Sequence, residues 1–201
     1  MLLNKNNLNL AEYCDKTNIK PEISGIYITP DETVATDGYV MVIVSTPKLD
    51  IKDFPTDSTA PFTPKQVRAI IPANLAKSVA NKLQTNTNLP ILENAVIKNF
   101  KNEEMITFLS TNLEIQEETK GQVIKGTYPD YKKILPTGTP KAQFTVSYEY
   151  LKSAITALAK TAKNDKSIKI ELYGENNPIV LKSSNDLQTT IALVMPIKVK
   201  E

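Results

Sequence analysis

Alternating apolar and polar positions, interrupted at intervals by one helical stretch, mark out three similar units along the chain. Each reads as a short strand, a helix and then a set of strands. The first carries a helix around Leu8 to Lys16, with Leu10, Tyr13, Cys14 and Thr17 on one side. Strands follow at Ile23–Thr29 and Thr33–Val44, turned at Pro30-Asp31. The second opens with a strand at Arg68–Pro72 and a helix from about Ala73 to Leu83. Its strands are expected at Ile91–Phe100, Met105–Ser110 and Leu113–Lys120, with a tight turn at Lys101-Asn102-Glu103. The third repeats the design: a strand at Gln143–Ser147, a helix from Tyr148 to about Ala162, and strands at Ser167–Tyr173, Ile179–Ser183 and Thr189–Met195. Turns are expected there at Asn176-Asn177-Pro178 and Asn185-Asp186. Residues 47–66, with Pro47, Pro55, Pro61 and Pro64, read as an extended connector. Units of roughly sixty residues are long for a solenoid, so the pattern implies half-domains whose sheets pair with one another.

The polar faces of two helices are unusual. On the third helix Leu151, Ala154, Ile155, Leu158 and Ala162 form an apolar stripe, while Lys152, Thr156, Lys160 and Lys163 share a narrow sector away from it. No acid occurs between Leu151 and Asn164. On the second, Leu75, Val79, Ala80 and Leu83 face inward, and Lys77, Ser78, Asn81 and Lys82 fill the rest of the arc, again without an acid. Solvated faces usually mix signs, because Glu and Lys four apart support the helix. The first helix does mix them, with Glu12 and Asp15 beside Lys16. Two readings fit the lysine-only faces at this point: solubilising surface, or a surface turned toward phosphates.

Composition narrows the chemistry more than the class. The chain has 201 residues, a net charge of +2, no histidine, no tryptophan and one cysteine, Cys14. No histidine is available to activate a nucleophile, so Cys14 reads as a small buried helix residue. A lone cysteine forms no intrachain disulfide and fits a reducing cytoplasm. The start lacks a signal-peptide pattern and no apolar run is long enough to span a bilayer. Arg68 is the only arginine, which argues against base-specific readout; lysine suffices for diffuse phosphate contact. No glycine-rich phosphate loop, metal-ligand cluster or nucleophile–base pair is present, and Asp37-Gly38 and Pro129-Asp130 are ordinary turn chemistry. The expectation is no enzyme, no cofactor and no metal.

Three phrases carry a resemblance: Ala35-Thr36-Asp37-Gly38-Tyr39-Val40-Met41, Gly126-Thr127-Tyr128-Pro129-Asp130-Tyr131-Lys132-Lys133-Ile134-Leu135-Pro136, and Leu193-Val194-Met195-Pro196-Ile197. In this order, each at the end of a strand pattern, they resemble the bacterial sliding clamps, the β subunits of DNA polymerase III. The resemblance implies an α+β DNA-clamp fold: strand-helix-strands half-units repeated, sheets outside and helices on one face, joined into a ring around duplex DNA. Residues 1–136 resemble that family's middle domain, two half-units, and residues 137–201, opened by Phe144-Thr145-Val146-Ser147-Tyr148, resemble the last half of its final domain. Leu89-Pro90-Ile91-Leu92-Glu93-Asn94 and Thr111-Asn112-Leu113-Glu114 resemble the family's first domain instead, which leaves a boundary near residue 65 open.

What the resemblance implies about function is then specific. Lys77, Lys82, Lys152, Lys160 and Lys163 would line the hole and hold duplex DNA without reading its sequence. A peptide pocket for DNA polymerase and clamp-loader tails would use Met41, Pro129, Ile134, Leu193 and Met195. Read from the residues alone, Met41 and Leu193 also suit a plain core. Tyr39-Val40 stand where the family usually has His-Arg, removing a charge beside the pocket. Three half-units, an odd number, imply a homo-oligomer, with four copies for a ring of twelve. The rival reading is a non-encircling module that captures clamp-binding peptides.

Overall fold

A computed structural model describes residues 1–17, 19–49, 54, 67–85, 87–101, 104–161, 166–174, 176–185 and 187–197. Most of the proline-rich connector, the Asn102-Glu103 turn, Asp186, Ala162 and Lys163 lie outside the described residues. Two compact units divide the chain, Met1–Ile134 and Leu135–Glu201.

The first unit begins with β1 (Leu2–Asn4), which leads directly into helix α1 (Lys5–Leu8) and a 3-10 turn, Asn9–Tyr13. The helix starts earlier than the apolar spacing predicts because Asn4 and Asn7 cap each other: each side chain accepts the other's backbone N–H, at 3.1 and 3.3 Å. The 3-10 turn that follows ends where Cys14 turns extended. Asn7 is fully buried, yet its amide is satisfied by Thr33 Oγ1 at 3.2 Å and the Ser45 carbonyl at 3.1 Å, which pins the helix to the sheet behind it. Strands β2 (Gly25–Ile28), β3 (Glu32–Thr36) and β4 (Met41–Ser45) follow. After the connector come β5 (Ala69–Pro72), helix α2 (Ala73–Ala80), a one-turn helix α3 (Pro90–Glu93), and β6 (Asn94–Lys101), β7 (Met105–Thr111) and β8 (Gln116–Gln122).

The two halves exchange their first strands. The sheets run β1-β6-β7-β8 and β4-β3-β2-β5, so β1 completes the second half's sheet and β5 completes the first's. All pairings are antiparallel. Gly25 lies so close to the Ile71 carbonyl across β2 and β5 that a Cβ would collide with it. One core joins the halves: Leu8 and Leu10 from the first helical segment, Ala76, Val79 and Ala80 from α2, and Leu3, Ile26, Ile28, Ile71, Ile97 and Phe108 from both sheets. Cys14 belongs to this core, 3% exposed, and burial pushes its thiol up to about 12. It is expected to resist a thiol reagent in the native protein and to react on addition of denaturant; fast labelling of the folded chain would contradict that burial.

The second unit holds α4 (Tyr148–Thr161) against a three-stranded sheet of order β11-β10-β9, from β9 (Lys169–Glu171), β10 (Ile179–Ser184) and β11 (Thr189–Val194). Leu158, Ile179, Leu181 and Val194 form its core, with Phe144, Val146 and Leu151 packed against it. The segment 143–147 is extended in sequence character but belongs to no sheet, in contrast to the strand expected there.

The last hairpin of each half-unit is built by the same turn. Asp37 accepts the N–H groups of Tyr39 and Val40 on one carboxylate oxygen, at 2.9 and 2.8 Å. Asn112 does the same for Glu114 and Ile115, at 3.1 and 2.8 Å, and Asn185 for Leu187 and Gln188, both at 2.9 Å. The next residue in the first two is left-handed, Gly38 at φ 91° and Leu113 at φ 79°. This chemistry splits the expected strand Thr33–Val44 into β3 and β4.

Candidate functional site

Lys77 and Lys152 occupy the same place in their half-units, each on the fifth residue of its helix, α2 or α4. Both side chains are exposed, as is Lys160. Among the described residues no carboxylate pairs with any of these three. Lys82 is different. Its ammonium sits 2.8 Å from Glu117 on β8, so the tertiary structure brings an acid to a face that is acid-free in local sequence. Glu149, in the first turn of α4, falls about 60° from Lys152 at 100° per residue, inside the lysine sector. The α4 row is therefore purely basic only from its second turn onward. Lys163 lies outside the described residues, and α2 and α4 belong to different units.

The expected pocket residues also divide between the units. In the first unit, Tyr128 and Tyr131 close the outer face of the β4-β3-β2-β5 sheet. Tyr27 of β2 stacks on Tyr128 with ring centres 4.8 Å apart, and both meet Tyr131 edge-on at 6.4 Å. The Tyr131 hydroxyl donates to Glu32 on β3. Burial and that carboxylate both raise the phenol's pKa, so the donor stays protonated. Met41 packs, half-buried, on this cluster with Ile43 and Ile124. The clamped segment thus holds Pro129 exposed, and after a 3-10 turn at Tyr131–Lys133 it leaves Ile134 69% exposed. The tyrosine cluster is the part that sequence reasoning missed. Its signal was Tyr27 on an outward strand position and the Tyr128–Tyr131 spacing.

The hairpin tip beside Met41 carries Tyr39, 97% exposed, and Val40. Asp37 is spent on this turn: the N–H groups of Val40 and then Tyr39 hold its carboxyl below the usual range.

In the second unit the outer face of the sheet is divided. Along β11 and just past its end, Ile191, Leu193 and then Met195 all stand exposed, at 56%, 62% and 60%. Leu193 is therefore not the core residue that its strand position also allowed. Ile191 joins the row by strand alternation, a residue the motif did not supply. On the β9 side the same face is ionic: Glu171 pairs with Lys182 at 2.8 Å and Lys169 at 3.0 Å. Lys182, then Tyr173 and Lys169, hold the Glu171 carboxyl down at about 2. Among the described residues no group of three or more Asp, Glu, Cys or His is placed to hold a metal, and no helix is long and apolar enough to cross a membrane.

Repeated strand–helix–three-strand halves, joined by exchange of their first strands, define the α+β fold of the DNA sliding clamps. The solved structures that match are of that class. The β subunit of DNA polymerase III from Thermotoga maritima aligns over 100% of this chain and 51% of its own, with a TM-score of 0.69 at 19% identity. The β subunit from Streptococcus pyogenes DNA polymerase aligns over 98% and 50%, at 0.67 and 14%. The Pseudomonas aeruginosa sliding clamp bound to griselimycin does so over 98% and 50%, at 0.67 and 16%. The chain thus spans about half the length of the solved clamps it matches, and at these identities the likeness establishes the fold. No family model and no curated protein matches the sequence.

Proposed function

We propose that the chain is a clamp-like processivity factor that holds duplex DNA without sequence specificity and receives apolar peptide tails of replication proteins. The observation that carries the reading is the pairing of a clamp fold with lysines that have no carboxylate partner among the described residues at one repeated helix position, Lys77 and Lys152, extended on α4 by Lys160. Lysines at such positions meet phosphates through diffuse, water-rich contacts that do not fix a register, which suits a duplex that must slide. In this reading residues 1–136 form a full clamp domain and 137–201 a half-domain. Lys82, tied to Glu117, is the weakest of the proposed DNA contacts; Lys163, outside the described residues, remains one on its sequence spacing alone. Met41, Pro129, Ile134, Leu193 and Met195 are the peptide contacts. The partners are DNA polymerase, clamp-loader tails and further copies of the chain, the setting is the cytoplasm, and no catalytic step belongs to the protein.

The test is retention on DNA. The protein is expected to stay on a duplex whose two ends are blocked and to be lost from the same duplex with free ends. Equal loss from both would overturn encirclement. One observation favours the non-encircling alternative, the neutralisation of Lys82 together with Glu149 in the α4 sector. Binding of an apolar peptide with no DNA retention under either condition would establish that alternative.

A further inference from the structure

The second unit is half of something that the first unit shows complete. In the first unit β5 lies between two neighbours. On one side β2 pairs with it, and on the other the N–H of Ile124, just past β8, donates to the Ile70 carbonyl at 2.9 Å. Helix α2 then begins three residues after Ile70. The second unit repeats one side of this. The N–H of Ile197, just past β11, donates to the Thr145 carbonyl at 2.7 Å, and α4 begins three residues after Thr145. Thr145 is thus the counterpart of Ile70. The place that β2 takes beside β5 has no occupant beside 144–147 among the described residues.

The complementary vacancy is on β9, the terminal strand of its sheet. Its counterparts β2 and β6 each carry an exchanged first strand from the other half. The cost of leaving β9 uncovered is visible in its side chains. Ile170, level with core residue Leu181, is 60% exposed, whereas Ile26 and Ile28 of β2 are 0% exposed and Ile97 of β6 is 4%. Helix α4 tells the same story. Ile155 is 41% exposed where its counterpart Ala80 on α2, packed in the core with the first unit's other helical segment, is 1%. Charges are one way to blunt an open edge. Here Lys169 and Glu171 are engaged with one another and Lys182 on the outer face, which leaves the backbone edge and Ile170 bare.

We infer that the second unit of another copy of this chain completes this half by reciprocal strand exchange. Each copy's 144–147 segment pairs antiparallel with the other's β9, and the two α4 helices pack across the two-fold axis, burying Ile155 and Ile170. The contact is isologous, so one set of residues satisfies both vacancies, as a two-fold interface requires. Phe144 and Val146, whose backbone groups alternate with those of Thr145, supply the hydrogen bonds to β9. The inference gives the homo-oligomer proposed above its contact surface. It rests on the repeat of half-units and not on DNA or peptide binding.

Sedimentation of the full chain at micromolar concentration tests it. The expected mass is an even multiple of a single chain, and Ile170→Lys is expected to weaken association by about tenfold or more, since it sets a charge in the new core. Ile170 is exposed in one copy, so the variant should keep its circular dichroism. In parallel, hydrogen exchange of the unmodified protein should show β9 amides protected, with protection falling on dilution. A single-chain mass, or β9 amides exchanging as an open edge at every concentration, would overturn the inference. Even-numbered assembly with no retention on end-blocked DNA would overturn the ring and leave this contact standing.

Discussion

Reversing Lys152 and Lys160 together to glutamate is expected to lower affinity for end-blocked duplex DNA by about 30-fold or more at 0.15 M salt, by an order-of-magnitude counterion argument. Each lysine that neutralises a phosphate contributes about 0.9 to the slope of log affinity against log salt. Two lost contacts therefore remove about 1.8 from that slope. Neither lysine has an ion-pair partner among the described residues, so nothing within the fold absorbs the change. Both project from exposed positions on α4, and the buried stripe at Leu158 is untouched. Lys82→Ala supplies the contrast. Glu117 already neutralises that ammonium at 2.8 Å, and its removal should shift the slope by much less. Affinity measured at two or more salt concentrations separates these outcomes. An unchanged slope in the double variant would remove α4 from the DNA-facing surface. Peptide binding by the same variant should stay at its starting value.

The elements that sequence shows well are those whose patterning is local. Helix α4 follows from its apolar stripe, and β7, β10 and β11 from short β-favouring apolar runs bounded by turn residues. Sequence reads poorly where a side chain overrides propensity. A β-favouring run from Thr33 to Val44 looks continuous, yet Asp37 captures two N–H groups and folds it back on itself. Leu89-Pro90 fixes a helical turn where a strand is expected, and the Asn94 amide secures it to the Pro90 carbonyl at 2.9 Å. β1, three residues long, is too short for any periodicity to show.

Partnership between strands is not written in periodicity at all. Nothing in Leu2–Asn4 says that it pairs with Asn94–Val96 instead of its own half, because alternation fixes a face and not a neighbour. The same limit applies to the candidate sites. Residue type and helical spacing put Lys82 on a helix expected to reach Leu83, but α2 ends at Ala80 and Lys82 stands in the turn beyond it, where Glu117, which neutralises it, arrives from a strand thirty-five positions on. On the apolar side, motif position finds Leu193 and Met195 and strand alternation adds Ile191, while the ring contacts that fasten the 128–131 segment to Tyr27 form only once the sheets are assembled.

Ile134→Ala and Met195→Ala are each expected to weaken binding of a labelled apolar peptide by about 10- to 100-fold, the scale of burying one large aliphatic side chain at roughly 1.5–3 kcal/mol. Their exposure in the free protein, 69% and 60%, is what makes the test clean. A side chain already in water contributes little to folding, so truncation should leave the thermal midpoint nearly unchanged and report on the partner alone. Met41→Ala behaves differently, because Met41 also packs on the Tyr128–Tyr131 cluster; there a lower midpoint should accompany weaker binding. Tyr131→Phe separates anchoring from contact. It keeps the ring in the cluster and deletes the hydroxyl that donates to Glu32, loosening the segment that presents Ile134 without removing any apolar surface. Anisotropy titration of the labelled peptide, run beside thermal melts, reads all four. If Ile134→Ala and Met195→Ala both bind with unaltered affinity, the apolar tails dock elsewhere, and the exposed row on β11 needs a different partner.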